Sequence, residues 1–178
     1  MSHRPSEELK EDAKKLLSEY LPQKDELKAK ARIAIPSQEM PSQDPMERVK
    51  NLSEVALGYS AEQARVEAMR CTNCKKHPCI EDCPVRIDIP RFVKQIADGE
   101  FESAIDTIKE ASLLPAVCGR VCPQEVQCQL HCTVGKSLKD VTRAVSIGRL
   151  ERFVSDWEQS TGKVKVPKVK PETGKKVG

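Results

Sequence analysis

The sequence predicts a mostly α-helical fold, and three observations carry that expectation. Apolar residues recur at helical spacing in segment after segment. No sustained apolar–polar alternation marks a strand before the Val/Lys/Pro-rich end of the chain. All eight cysteines fall between residues 71 and 132, in turns that alternate with short helical patterns. Aromatic residues are 3% and apolar residues 38% of the 178, so a core of side chains alone is thin. The cysteines are the candidates for holding it together.

The elements follow in order. Leu9, Ala13, Leu16, Leu17 and Tyr20 share one face of a helix over 7–20, with Ser6 as cap and Glu7 and Glu8 in its first turn. A short helix over about 25–34 and a Pro/Ser/Gln-rich linker over 35–45 come next. His3 is expected in a frayed terminus. Residues 1–43 thus form an N-terminal helical extension and linker, docked on a neighbour or on the domain itself. Asp44-Pro45-Met46-Glu47 is a helix start, and Val49, Leu52, Val55 and Ala56 continue its pattern up to Gly58. Ser60 caps a helix to about Arg70, with Gln63 as reciprocal partner, and this helix runs straight into Cys71. Pro90 opens a helix with Phe92, Val93, Ile96 and Ala97, ended by Gly99. Residues 101–111 turn Phe101, Ala104, Ile105 and Ile108 inward, and Pro115 and Pro123 each can start a short helix. The last helix, 147–158, has the inward stripe Ile147, Leu150, Val154 and Trp157. Residues 44–159 read as one domain and 160–178 as a basic linker.

Charge and hydropathy exclude several functions. The net +3 is uneven: residues 161–178 hold six lysines against Glu172, a net +5, which leaves −2 for the rest. That basic run lacks the aromatic residues and regular pattern of a nucleic-acid surface. No 18-residue apolar run is present, so no membrane span is expected. The N-terminus is not a secretory leader, which points to a cytoplasmic setting where cysteines serve metal or redox chemistry more often than disulfides.

Spacing narrows the chemistry. One set is Cys71-x2-Cys74-x4-Cys79-x3-Cys83-Pro84; the other is Cys118-x3-Cys122-x5-Cys128-x3-Cys132. Short intervals let a loop wrap three corners of an iron–sulfur cubane, while the fourth ligand comes from a distant segment. In two-cluster ferredoxins the cysteine before Pro serves the other cluster. By that logic Cys71, Cys74 and Cys79 hold one cluster, Cys83 crosses to a second, and one downstream cysteine returns. Zinc is the main rival, but its all-cysteine sites use paired CxxC units, and only one occurs here. Disulfides are the remaining alternative. His77 and His131 lie inside these groups and are expected to face solvent or hydrogen-bond rather than ligate. Arg86 and Arg120 are candidates for offsetting cluster charge. Spacing puts Glu151 at the edge of the last helix's buried stripe, where it would reach water or pair with Arg152 or Lys139.

Residues 51–157 resemble the N-terminal iron–sulfur domain of the glutamate synthase small (beta) subunit family. They also resemble the corresponding domains of dihydropyrimidine dehydrogenase and of the NADH-dependent reduced-ferredoxin:NADP oxidoreductase large subunit. The first cysteine set, Ile89-Pro90, the run Leu114-Pro115-Ala116-Val117-Cys118-Gly119-Arg120-Val121-Cys122-Pro123 and Ile147-Gly148-Arg149-Leu150-Glu151-Arg152 carry the resemblance together. It implies an alpha-helical ferredoxin-like domain with two [4Fe-4S] clusters. One would be held by Cys71, Cys74, Cys79 and Cys132. The other would take Cys83, Cys122 and Cys128 plus a non-cysteine ligand, Gln in the pyrimidine enzyme, whose position matches Glu151. Cys118 is then a free, buried thiol.

Thr173-Gly174-Lys175-Lys176-Val177 resembles the lead-in to a flavin-binding Rossmann domain, and the sequence stops before any GxGxxG. The resemblance therefore places FAD and NAD(P)H in a flavin-binding domain elsewhere in a longer parent chain, with a larger redox subunit as a further partner. The expected function is a single-electron relay between them, with the glutamate synthase (NADPH) small subunit as the leading kind of parent. The same domain of the ferredoxin:NADP oxidoreductase and a purely structural, cluster-stapled interaction module are the alternatives. These 178 residues show no nucleotide-binding glycine loop and no nucleophile–base set, so they are read as part of an NAD(P)H-dependent oxidoreductase that is not catalytic alone.

Overall fold

A computed structural model describes residues 3–165 and Gly174. Helix α1, Ser6–Tyr20, begins at Ser6 itself, behind Pro5 and without a side-chain cap, and buries Leu9 and Ala13. A 3-10 turn, Leu21–Gln23, and the short α2, Ala29–Ala34, follow. His3 is not frayed: its Nε2 lies 3.1 Å from the Ser42 carbonyl oxygen. Helix α3, Pro45–Arg48, starts as expected, with the Asp44 side chain accepting from the Met46 amide. It stops after one turn, and the expected continuation to Gly58 does not form. There the backbone pairs sideways instead, Gln43 N donating to Val55 O and Leu57 N to Pro41 O, each at 2.8 Å. The apolar spacing of Val49 and Leu52 has no core to face, and both side chains are exposed.

Helix α4, Ala61–Met69, has the expected reciprocal cap: Ser60 receives the Gln63 amide, and the Gln63 side chain accepts from the Ser60 amide. Beyond it come α5, Pro78–Glu81, then α6, Ile89–Asp98, and α7, Phe101–Lys109. Helix α8, Pro115–Val121, leads to a 3-10 turn, Gln124–Val126, and α9, Thr133–Leu138. A last 3-10 turn, Val141–Arg143, precedes α10, Ile147–Thr161. The described residues are thus helical, with a single isolated bridge between Ser42 and Ala56. Helix α6 packs between α4 and α7, and α10 packs along α7 and α8. Their inward faces meet in one core that includes Met69, Phe92, Ile96, Ile105, Ile108 and Leu150. The scarce aromatic residues are concentrated where α7 meets α10. Phe101 stands edge-on to Phe153 at 5.0 Å and to Trp157 at 5.7 Å, an arrangement that suits the ring quadrupoles.

A buried ion pair joins three separate stretches of chain. Glu67 and Arg70, on and just after α4, are 0% and 1% exposed. Arg70 donates to Glu67 at 2.5 Å, to Ile35 O in the extension, and to Arg143 O and Ala144 O ahead of α10. Glu67 accepts from the Gln38 amide at 2.8 Å and from the Ser146 amide at 2.9 Å. A charged pair in a core is costly unless its remaining donors and acceptors are filled, and here backbone groups fill them. Nearby, Arg32 donates to Leu27 O, Lys24 O and Met69 O, which ties the extension to the residues just before Cys71.

At the other end, Gly162 takes a left-handed conformation and turns the chain back. Lys109 grips both oxygens of Glu158 at 2.7 Å, the Lys165 amide donates to the same carboxylate, and Lys165 pairs with Glu102 and Asp106. The first residues of the basic segment are therefore anchored on α7 and α10. The reading of Thr173, Lys175, Lys176 and Val177 as a lead-in to another domain falls outside the described residues.

Arg70→Ala should leave the Glu67 carboxylate buried and unpaired, and lower stability by about 3–5 kcal/mol. Anaerobic denaturant unfolding followed by far-ultraviolet circular dichroism measures this. The paired change Glu67→Gln with Arg70→Met should cost clearly less, because no lone charge remains.

Candidate metal centre

The cysteine turns owe their shape to what flanks them. Helix α4 ends two residues before Cys71 and delivers it to the core edge. Asn73 and His77 then adopt left-handed backbone, with φ of 46° and 41°, and curl the chain so that Pro78 can open α5 with Cys79 in it. Cys83 follows, and its carbonyl accepts from the Arg86 amide to close the turn. Downstream, Cys118 lies in α8, Cys122 caps its end, and Cys132 immediately precedes α9.

The structure brings these residues to two small cavities. Cys71, Cys74, Cys79 and Cys132 line one of about 30 Å³, walled by Val93, Val134 and Val145. Cys83, Cys122, Cys128 and Glu151 line a second of about 80 Å³, together with Cys118. Ile89 and Ile147 border both and form the partition between them. Cys118 thus lies beside the second group, and it is partly exposed where a buried thiol is expected, because its stretch of α8 is at the surface. Gln124 and Gln127 also line the second cavity, and nothing in their local sequence pattern marked them. Among the described residues, no three Cys, His, Asp or Glu side chains converge closely enough to hold a single metal ion. The thiols are distributed around each cavity instead of converging on a point.

Electrostatics within each group is unfavourable for bare anions. Burial, with Cys132 and Cys74 nearby, pushes the Cys71 thiol up to about 11. Burial, followed by repulsion from Cys71, Cys132 and Cys74, pushes Cys79 up as well. In the second group burial is again the main cause, raising Cys128 to about 12 with Cys83 and Glu151 adding repulsion. Cys122 rises to about 11, with Cys118, Glu151 and Cys83 contributing after burial. Glu151 is 6% exposed, its Oε1 has no hydrogen-bond partner among the described residues, and burial alone pushes its carboxyl up to about 7. That oxygen is shut off from water, and the carboxylate does not pair with Arg152. That guanidinium is held by Ala56 O, Glu54 and Asp156.

The other expected charges are also committed elsewhere. Arg86 bonds Glu81, and Arg120 bonds Glu54 and Asp156, so neither faces a cavity. His131 Nδ1 lies 2.7 Å from Asp82 Oδ2 at the surface. Helices α8 and α10 meet at Gly119, where a Cβ would fall 2.6 Å from the Arg152 amide nitrogen and 2.8 Å from its Cα. Only glycine allows this approach, which sets Cys118 and Cys122 against the helix that carries Glu151.

Residues 48–163 match the family described as dihydropyrimidine dehydrogenase domain II, 4Fe-4S cluster. The chain belongs to this family. Among its relatives is the NAD-dependent dihydropyrimidine dehydrogenase subunit PreT of Escherichia coli K12, 41% identical over 111 residues, which are 62% of this chain and 26% of the relative. The glutamate synthase [NADPH] small chain of Azospirillum brasilense is 33% identical over 134 residues, 74% of this chain and 27% of that one. The putative oxidoreductase UacF of E. coli K12 is 37% identical over 131 residues, 72% and 20% respectively. The chain spans about a quarter or less of the length of these relatives. The donor set suits the cofactor in the family's description: soft thiols around apolar cavities, and a buried carboxylate oxygen with no partner among the described residues. No helix among the described residues is long and apolar enough to cross a membrane.

Gly119→Ala should be poorly tolerated, because the new methyl meets backbone that cannot rotate away. The expected loss is about 1–3 kcal/mol, the usual range for overpacking, read as a lowered midpoint in thermal unfolding.

Proposed function

We propose that this domain holds two [4Fe-4S] clusters and relays single electrons within an NAD(P)H-linked oxidoreductase. The observation that supports it is the sorting of seven cysteines and Glu151 between two cavities that share a wall. Cys71, Cys74, Cys79 and Cys132 would hold one cluster. Cys83, Cys122, Cys128 and Glu151 would hold the other, with Cys118 left as a thiol. Bound clusters supply reversible one-electron chemistry. The chain's own residues do the rest. Ile89 and Ile147 keep the two sites adjacent but separate, Val93, Val134 and Val145 exclude water from the first, and Glu151 brings a harder oxygen donor to the second. That difference in donor is expected to separate the two potentials.

The larger setting belongs to the same proposal. Electrons would pass between a flavin-binding domain with FAD and NAD(P)H, elsewhere in a longer chain, and a partner redox subunit. Residues 44–159 would form the cluster domain, 1–43 its extension and 160–178 the connection onward. The relatives' names support both a glutamate synthase small chain and a pyrimidine dehydrogenase subunit as the kind of parent. The latter match is to a subunit, so a pyrimidine-type parent does not require one very large fused chain. The structural-staple reading predicts the same metal content without reducibility.

Anaerobic reconstitution should yield about eight irons and eight acid-labile sulfides per chain, with broad absorbance at ~400 nm that bleaches on reduction. Zinc without sulfide would overturn the proposal, and clusters that cannot be reduced would favour the staple. Glu151→Ala should perturb one of two electron paramagnetic resonance signals, whereas Cys118→Ala should leave both. The opposite pattern would make Cys118 the ligand.

A further inference from the structure

We infer that Gln124 is the positioning residue of the second cavity, a wedge that sets the gap across which Glu151 faces Cys122 and Cys128. The inference rests on the two-site reading above and goes beyond its ligand set.

Gln124 is bonded to the end of α8 and to the loop that carries Cys122 and Cys128, two of the walls of this cavity. Its amide donates to Cys122 O at 2.9 Å. Its carbonyl accepts from the Gln127 amide at 3.1 Å and the Gln129 amide at 2.9 Å, the two residues that flank Cys128. Its side-chain Nε2 donates to Cys118 O at 3.1 Å, the same carbonyl that closes the last turn of α8 on the Cys122 amide. One residue therefore holds both ends of the 122–128 loop and the end of α8.

The remaining contact reaches α10. The carboxamide lies against Gly148 so closely that a Cβ there would stand 2.1 Å from Nε2, 2.3 Å from Cδ and 2.8 Å from Oε1. Non-bonded atoms do not approach to such distances, so residue 148 can be nothing but glycine while Gln124 stays where it is. Glycine weakens a helix, and here it stands in the first turn of α10. Glu151 lies three residues further on, so Gly148 and Glu151 share one helix face. The carboxamide and the orphaned carboxylate are thus stacked along α10 toward the same cavity. The wedge fixes how far that face stands from the loop carrying Cys122 and Cys128.

Gln124 is half-exposed and its carboxamide is the far end of a flexible side chain. An inert glutamine would swing into solvent and let a methyl enter at 148 without consequence. A positioning glutamine cannot leave without releasing Cys118 O and widening or skewing the gap. The two cases separate in a double-mutant cycle on anaerobically reconstituted protein, with iron content and the two reduced-cluster electron paramagnetic resonance signals as readout. Gln124→Ala and Gly148→Ala should each weaken or shift the same single signal that Glu151→Ala affects, with iron falling from about eight toward about four per chain. The other signal should persist. The double variant should be no worse than either single one, because both changes remove one contact. Should Gly148→Ala fail to fold, Gln124→Ala and Gln124→Met carry the test, since neither inserts an atom between the helices. Two unchanged signals with full iron in the Gln124 variants would overturn the inference, as would equal loss of both signals. A wild-type chain that takes up only one cluster would instead refute the two-site reading from which the inference starts.

Discussion

The Glu67–Arg70 pair is the constraint on which the rest of this structure depends. Two charges sit in a core that has few large side chains to spare, and they remain there because backbone groups from three stretches complete their bonding. Removing any one stretch would leave a buried donor or acceptor unfilled, at a cost of about 1–3 kcal/mol for each such group. The pair therefore acts less as a source of net stability than as a device for uniqueness. It specifies which segment of the extension lies beside α4 and which residues lead into α10. The consequences reach both cavities, since Cys71 follows Arg70 directly and α10 carries Ile147 and Glu151.

Around that junction, the two cavities gather groups that are unfavourable as bare anions. Thiols crowd one another in apolar surroundings, and their ionisation is held off by burial and mutual repulsion. Glu151 lies among them with an oxygen that has no partner among the described residues. Each of these features is unfavourable in isolation, and each becomes favourable when positive charge is supplied at the cavity. The ion pairs outside the cavities stay apart from these groups. Arg120, Arg152, Glu54 and Asp156 neutralise one another along the outer side of α8 and α10, leaving the inner side to the thiols and the carboxylate.

The family match begins at residue 48, yet residues before it contribute to the core and to the buried pair. Ile35 is 2% exposed, and its carbonyl receives Arg70, while Arg32 reaches Met69 O beside the first cysteine. The extension is thus integrated with the cysteine domain through polar contacts to backbone atoms. Such contacts leave little trace in side-chain pattern, because any residue supplies a carbonyl.

Local chemistry was legible in the sequence. The Ser60–Gln63 cap, the Asp44 start, the stop at Gly99 and the inward faces of α6, α7 and α10 all follow from interactions within a few residues of one another. The membership in an iron–sulfur family was legible too, because cysteine spacing and the glycine–proline runs are themselves local. The helix expected beyond Arg48 was misread, since apolar spacing alone does not say whether a core is present to receive it. What only the tertiary structure decided is the meeting of distant groups. Spacing placed Glu151 at the edge of a stripe; packing of α8 onto α10 through Gly119 is what buries it among cysteines tens of residues away. Gln124 against Gly148, and Arg70 against Ile35 and Arg143, are likewise contacts between segments with no shared periodicity. A linear pattern records which face of a helix is apolar. It does not record which other face will cover it, because that depends on shape and backbone approach summed over the whole chain.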